Sequence, residues 1–217
     1  MQTIRIFSLL IFVLLAACTT EMPQAAKENI VQSVDANQYL GTWYEIARLD
    51  HSFERGLEQV TANYSLDKDD SIKVVNRGYN PENKEWKEAI GKALFVDAAN
   101  ADGTRTGRLK VSFFGPFYGA YNIIELDKPY YNYAMVSGGQ DYLWILSRTP
   151  QLTYPIKQEL IARAKHLGYA TEKLIFVKQA NQVEYESGRH VIDDWQIKSR
   201  QNWRLFFIGR LKLASNL

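Results

Sequence analysis

Cysteine is nearly absent from this chain of 217 residues. The single copy, Cys18, leaves no partner for an intramolecular disulfide and no cysteine-rich metal site. A charge excess is missing too. Lys and Arg number 26 against 24 Asp and Glu, so there is no whole-chain attraction to nucleic acid. Histidine occurs three times, as His51, His166 and His190, without the H-E-x-x-H spacing that holds zinc on one helix face. There is no C-x-x-C, no G-x-S-x-G and no glycine-rich phosphate loop; Ser137 lies in VSGG, which is not a nucleophile elbow. The acid pairs Asp69-Asp70 and Asp193-Asp194 are adjacent, and neighbours on a strand or helix point apart. Nothing here signals catalysis, a metal or a cofactor. Long apolar runs are lacking as well. Residues 6–17 form one, but it is shorter than the roughly 20 residues a spanning helix needs.

That short run follows a positively charged start and ends in LAAC, residues 15–18. It is a processing signal of residues 1–17, outside the fold. Small residues before a cysteine resemble the lipobox of bacterial lipoproteins, in which the signal is cut before the Cys and the Cys becomes the lipid-modified N-terminus. The resemblance assigns this role to Cys18. Thr19 follows, not the Asp that favours inner-membrane retention in that family, so the expected destination is the outer membrane. Residues 18–37 are small and polar and are read as a lipidated tether, with a short helical turn around residues 29–34.

From residue 41 onward, strand follows strand. VTANYSL (60–66) and RLKVSFF (108–114) alternate apolar and polar positions, the period of a half-buried strand. With GTWYEIAR and the runs SIKVVNRGY, WKEAIGKALFVD, YGAYNIIEL, YNYAMVSG and DYLWILS, eight strands result. Turn residues separate them: KDDS, NPENK, NADGTRTG, GPF, DKP and GGQ. Regular spacing with tight turns predicts an antiparallel sandwich or barrel. TYPIKQELIARAKHLGY then predicts one amphipathic helix, with Ile156, Leu160, Ile161, Ala164 and Leu167 on its apolar side and Gly168 at its stop. LIFVKQ (174–179) reads as a last short strand. Residues 180–217 form an extension, basic and apolar at its end, that is not expected to be needed for the core.

Gly41-Thr42-Trp43 on the first strand, Gln140-Asp141-Tyr142 before the last barrel strand and Arg148 ending that strand in LSR resemble the lipocalins. Within that family the resemblance is to bacterial outer-membrane lipoprotein lipocalins and covers residues 36–179. It implies an eight-stranded antiparallel up-and-down β-barrel over residues 38–179, all-β with one flanking helix. It further implies that Trp43 plugs the closed end, that Arg148 lies across its ring, and that Gly41 lets the chain enter without a Cβ clash. Gln140 departs from the Thr common at that position, while Asp141 and Tyr142 keep the pattern.

Alternation extends this reading. Glu45 and Ala47 are expected to point inward with Trp43. Tyr142, Trp144 and Leu146 share the Arg148 face, and Leu143 and Ile145 receive the helix. The expected pocket residues are Tyr121, Ile123, Tyr142 and Trp144, although the sequence leaves open which face of 121–124 is inside. In FFGPFYG, hairpin packing is preferred over gating of the mouth. The implied function is binding of fatty acids or lysophospholipids at the outer membrane, for storage or transport, with the barrel facing the periplasm. An isomerase-like enzyme on the same barrel and a ligand-free interaction module are the alternatives. The resemblance also leaves room for a homodimer through exposed barrel edges or mouth loops.

Replacing the one cysteine tests the anchor. Cys18→Ser is expected to leave uncleaved precursor that incorporates no labelled palmitate. Equal labelling of variant and native chain would remove Cys18 as the attachment point.

Overall fold

The computed structural model describes residues 21–180. The signal segment with Cys18 and all but the first residue of the C-terminal extension lie outside the described residues.

Eight strands close into an antiparallel barrel in sequence order: β1 (Gly41–Arg48), β2 (Glu58–Leu66), β3 (Ile72–Asn80), β4 (Glu85–Phe95), β5 (Arg108–Phe114), β6 (Phe117–Leu126), β7 (Tyr133–Gly139) and β8 (Tyr142–Ser147). β1 closes it, pairing with β8 on one side and β2 on the other. The strands number as the alternation predicts. α1 (Gln24–Glu28) and α2 (Ala36–Tyr39) precede the barrel, and α3 (Tyr154–His166) and the two-residue β9 (Ile175–Phe176) follow it. Because consecutive strands are antiparallel, the β1–β2, β3–β4, β5–β6 and β7–β8 loops share one end, the mouth. Trp43, at the start of β1, lies at the other.

Period-2 alternation divides the apolar residues into two cores. The inner one fills the barrel with Trp43, Tyr64, Val74, Leu109, Ile123, Val136 and Leu146 among others. The outer one lies under α3, where Leu160, Ala164 and Leu167 cover Ile124, Met135, Leu143 and Ile145. Ile156 and Ile161 pack at its margin. Gly168 ends the helix with φ +93°, and the Tyr169 amide donates back to the Ala164 carbonyl, the geometry of a glycine-terminated helix.

β1 breaks the alternation. A register shift between Glu45 and Ala47 puts two successive residues, Ile46 and Ala47, in the outer core. Such a bulge inserts one residue and re-aims those after it. Ala47 therefore does not point inward as strict alternation predicts. Beyond the bulge, β1 leaves β2 and pairs with β9. Gln179 spans the fork, its Nε2 donating to the carbonyls of Glu45 at 2.8 Å and Val60 at 2.9 Å.

The predicted helical turn at residues 29–34 is absent. That stretch is extended: Val31 donates to the Ile123 carbonyl, accepts from the Gly107 amide, and Val34 bridges Arg105. Helix forms instead at Gln24–Glu28, and at Ala36–Tyr39, where the Asp35 carboxylate caps the amides of Asn37 and Gln38. Residues from 21 onward are thus not a free tether. Ala26 and Val34 are fully buried, because isolated apolar residues in a polar stretch suffice to dock it once backbone groups on the barrel wall are available. The FFGPFYG hairpin also departs from expectation. Phe113 faces in, but Phe114 and Phe117 are 81% and 79% exposed at the tip.

At the closed end Arg148 lies over the Trp43 indole, its Cζ 3.8 Å from the ring centroid. The guanidinium also donates to the backbone carbonyls of Gln38, Thr42 and Tyr131. The indole Nε1 donates to the Tyr39 carbonyl at 2.9 Å. Gly41 has φ +93°, and a Cβ there would meet Arg148 only at 3.4 Å. Backbone conformation, not a clash, calls for glycine at this position.

Trp43→Ala is expected to cost about 3–5 kcal/mol as a large-to-small core change. Arg148→Ala should cost less, and the double variant less than the sum, because the two side chains touch. Denaturant titration of all four forms decides; strict additivity would contradict the contact.

Candidate functional site

The barrel holds a cavity whose wall is drawn from β1–β8, α2 and the β1–β2 loop. Its deep part is apolar: Ile72, Val74, Ala93, Leu109, Val111, Val136 and Leu146. Each comes from an inward position of its strand. Tyr39, Tyr64 and Tyr121 also line it, joined through Tyr121, whose hydroxyl lies 2.7 Å from that of Tyr39 and 2.9 Å from that of Tyr64. Burial pushes all three phenols above their usual range, so they stay protonated and neutral. The enclosed volume is about 90 Å³, far below the ~300–1,000 Å³ of sites for bulky ligands.

Toward the mouth the wall becomes charged. Glu45 and Glu54 line the cavity, and among the described residues no Lys, Arg or His does. Glu45 is held by Arg48, with Nη1 to Oε1 at 2.7 Å and both side chains buried. Arg48 Nη2 donates to the Glu54 carbonyl, so the guanidinium also ties down the loop that follows β1. Glu54 Oε2 lies 3.0 Å from His51 Nε2 and accepts from Trp144 Nε1 at 3.1 Å. Burial raises the Glu45 carboxyl well above the ordinary carboxylate range, the neighbouring Glu54 adds to this, and the Arg48 pair does not outweigh it. Burial works the same way on Glu54, but there His51, Trp144 and Arg48 prevail and hold it low. The two neighbouring carboxyls are thus pulled apart in proton affinity, Glu45 upward and Glu54 downward.

The expected pocket residues separate in this frame. Tyr121 and Trp144 line the cavity. Ile123 is buried in the inner core but does not reach the cavity surface, which fixes the odd-numbered face of 121–124 as the inside. Tyr142 stands at the mouth in an aromatic group, its ring centroid 5.8 Å from His51, 6.1 Å from Trp144 and 6.3 Å from Phe53, and it is not part of the cavity wall. Asp141 is exposed in the β7–β8 turn. Glu54, His51 and Arg48 were not anticipated. Arg48 is hidden by the bulge, since alternation places it opposite Glu45, and HSFERG reads as an ordinary polar loop.

The barrel order, the Trp43 plug beneath Arg148 and the α3 flank match a known family. The family model described as "Lipocalin-like domain" covers residues 34–179. The chain is a lipocalin. It is similar to the outer membrane lipoprotein Blc of Vibrio cholerae, with 53% identity across 80% of this chain and 98% of that one. It is similar also to the protein of the same name in Escherichia coli K12, with 52% identity across 76% and 90%. Among solved lipocalin structures, insecticyanin from the tobacco hornworm Manduca sexta matches with a TM-score of 0.56 at 23% identity, over 70% of this chain and 85% of that one. H1 crustacyanin from the lobster Homarus americanus matches at 0.54 and 20%, over 75% and 90%. These two likenesses carry the fold alone.

The lipocalin's buried carboxyl pair gives a signed pH prediction. Unfolded Glu45 releases its proton near ~4.3 and the folded carboxyl only well above that. Between the two, the folded chain binds more protons, so Glu45 lowers stability as pH rises through its folded value. Glu45→Gln removes this effect. Its melting temperature relative to the native chain should rise from about pH 5 to about pH 8. A constant difference would show that Glu45 is ionised throughout.

Proposed function

We propose that this lipocalin is a lipid-anchored protein of the outer membrane that binds single-chain amphiphiles, fatty acids or lysophospholipids, in its barrel. The lining of the cavity carries the proposal. Nine aliphatic side chains line a cavity that also holds the linked tyrosine hydroxyls. An acyl chain matches the lining in polarity. The charged head belongs at the mouth, because a carboxylate or phosphate drawn inward would meet Glu45 and Glu54 with no cation on the cavity wall.

The anchor rests on the LAAC stretch at Cys18 and on the relatives being named outer membrane lipoproteins. Such an anchor places the barrel on the membrane from which its ligand comes, on the periplasmic face. The proposed role is binding and transfer, not chemistry, since the two buried carboxyls of the cavity are engaged by Arg48, His51 and Trp144.

Trp144 lines the cavity and reports on it. Titrating the unlipidated chain with fatty acids and lysophospholipids should give saturable changes in tryptophan emission, and Val74→Trp, which fills the bore, should abolish them with the fold intact. No saturable response to any acyl chain from the folded native form would reject the proposal.

A further inference from the structure

The exposed aromatics of the described residues are unevenly placed. Phe53 (59% exposed), Trp86 (47%), Phe114 (81%) and Phe117 (79%) all stand at the mouth, on three of its four loops or hairpins. The closed end exposes Leu66, Val96, Tyr130 and Tyr154, but no Phe or Trp. Phe53 stacks on His51 with centroids 3.9 Å apart, and Arg77 Cζ lies 4.3 Å over the Trp86 ring, yet these rings and above all Phe114 and Phe117 keep large exposed faces that cost solvation free energy unless something covers them.

The barrel is also open along one flank of the same end. β4 pairs with β3 from Glu85 to Ala93, but with β5 only from Lys92 to Phe95. Residues 85–91 therefore present an unpaired edge toward the β5–β6 hairpin, with Trp86 and Ile90 on one side and Phe114 and Phe117 on the other. At the base of this gap the Phe113 ring packs on Gly91, where a Cβ would come within 2.8 Å of it. Phe113 lines the cavity. The gap thus leads from the exposed aromatics to the cavity past one side chain.

The chain upstream of the barrel returns to the same end. From Val34, bridged to the closed-end β4–β5 loop, it climbs the outer wall past Ile123, and Met22 Sδ accepts from Asn122 Nδ2. Met22 shares a surface groove with Tyr118, beside the β5–β6 tip. Pro23 lies against Gly168, whose carbonyl accepts from Gln140 in the β7–β8 turn at the mouth. Cys18 is three residues before Glu21, a reach of about 10 Å. Through Pro23 at Gly168, an acyl anchor at Cys18 would be tethered to the mouth half of the barrel wall.

We propose that the mouth of the barrel is a membrane-docking surface: Trp86, Phe114 and Phe117 enter the interfacial layer of a phospholipid bilayer and hold the β4–β5 gap against it, so that an acyl chain enters the barrel sideways without crossing water. The β3–β4 tip carries both signs, with Glu82, Lys84, Glu85, Lys87 and Glu88, so docking is by insertion of rings and not by attraction to anionic lipid. The proposal rests on the amphiphile-binding reading above and on lipidation at Cys18. A second copy of the chain is the competing cover for the same rings. The nearness of Cys18 favours the bilayer.

The test uses the mature chain from residue 18 to residue 217 carrying Cys18→Ser, compared with the same chain carrying Phe114→Ser and Phe117→Ser. Both phenylalanines are exposed, and neither lines the cavity. Co-sedimentation with neutral phosphatidylcholine vesicles should be about tenfold weaker for the double variant, and binding of the native sequence should survive high salt. Acyl-chain titration without vesicles should be equal for the two, while transfer of a fluorescent lysophospholipid from vesicles should be slower in the variant. Equal co-sedimentation, loss of binding in high salt, or a dimer in sedimentation that the double variant dissolves would each overturn the proposal. If neither form binds acyl chains in solution but vesicle binding still falls in the variant, docking stands and the ligand reading alone fails.

Discussion

Everything in this barrel hangs on the way Trp43 is covered. An indole buries roughly 150–250 Å², worth roughly 4–6 kcal/mol before entropy, but only if its Nε1 finds an acceptor and both faces are closed. α2 supplies the acceptor, the Tyr39 carbonyl. Arg148 supplies one face and, through three backbone carbonyls, pins α2, β1 and the β6–β7 loop around the ring. One cation thus joins segments from both ends of the barrel sequence. Every inward position up the wall takes its register from that plug.

The second organising feature is the bulge in β1. It lets one strand serve two partners, β2 below and β9 above. It also turns Arg48 to the side of Glu45, so that the two buried side chains meet at 2.7 Å where strict alternation would separate them. A buried pair is weak evidence of stabilisation in itself. Here it fixes the β1–β2 loop through the Glu54 carbonyl and sets a charged collar above an apolar bore.

Much of this was legible in the residues. Alternation on β8 assigns Trp144 and Leu146 to the inside and Leu143 and Ile145 to the helix, and the structure agrees. Spacing in TYPIKQELIARAKHLGY places Leu160, Ala164 and Leu167 on the buried face of α3. What escaped was whatever depends on one inserted residue or on non-local pairing. The bulge shifts Ala47 and Arg48 without any local mark in EIAR. Val31 and Val34 dock through hydrogen bonds to residues about 70 to 90 positions away, which no window of sequence contains. Phe114 and Phe117 look like core residues by type. Only the register break after Val111 shows that their pair, Phe114 opposite Phe117, stands apart from the rest of the ladder.

The tyrosines on the cavity wall have a consequence in proton counting. Three hydroxyls own three protons, and the two links through Tyr121 use two of them. Whichever way those links point, one donor is left over. A hydrocarbon end pressed against it would leave that donor dry, at a cost of about 1–3 kcal/mol. For an acyl chain bound as proposed, this donor would make the wall a depth gauge, favouring chains that leave room for a water over the hydroxyls.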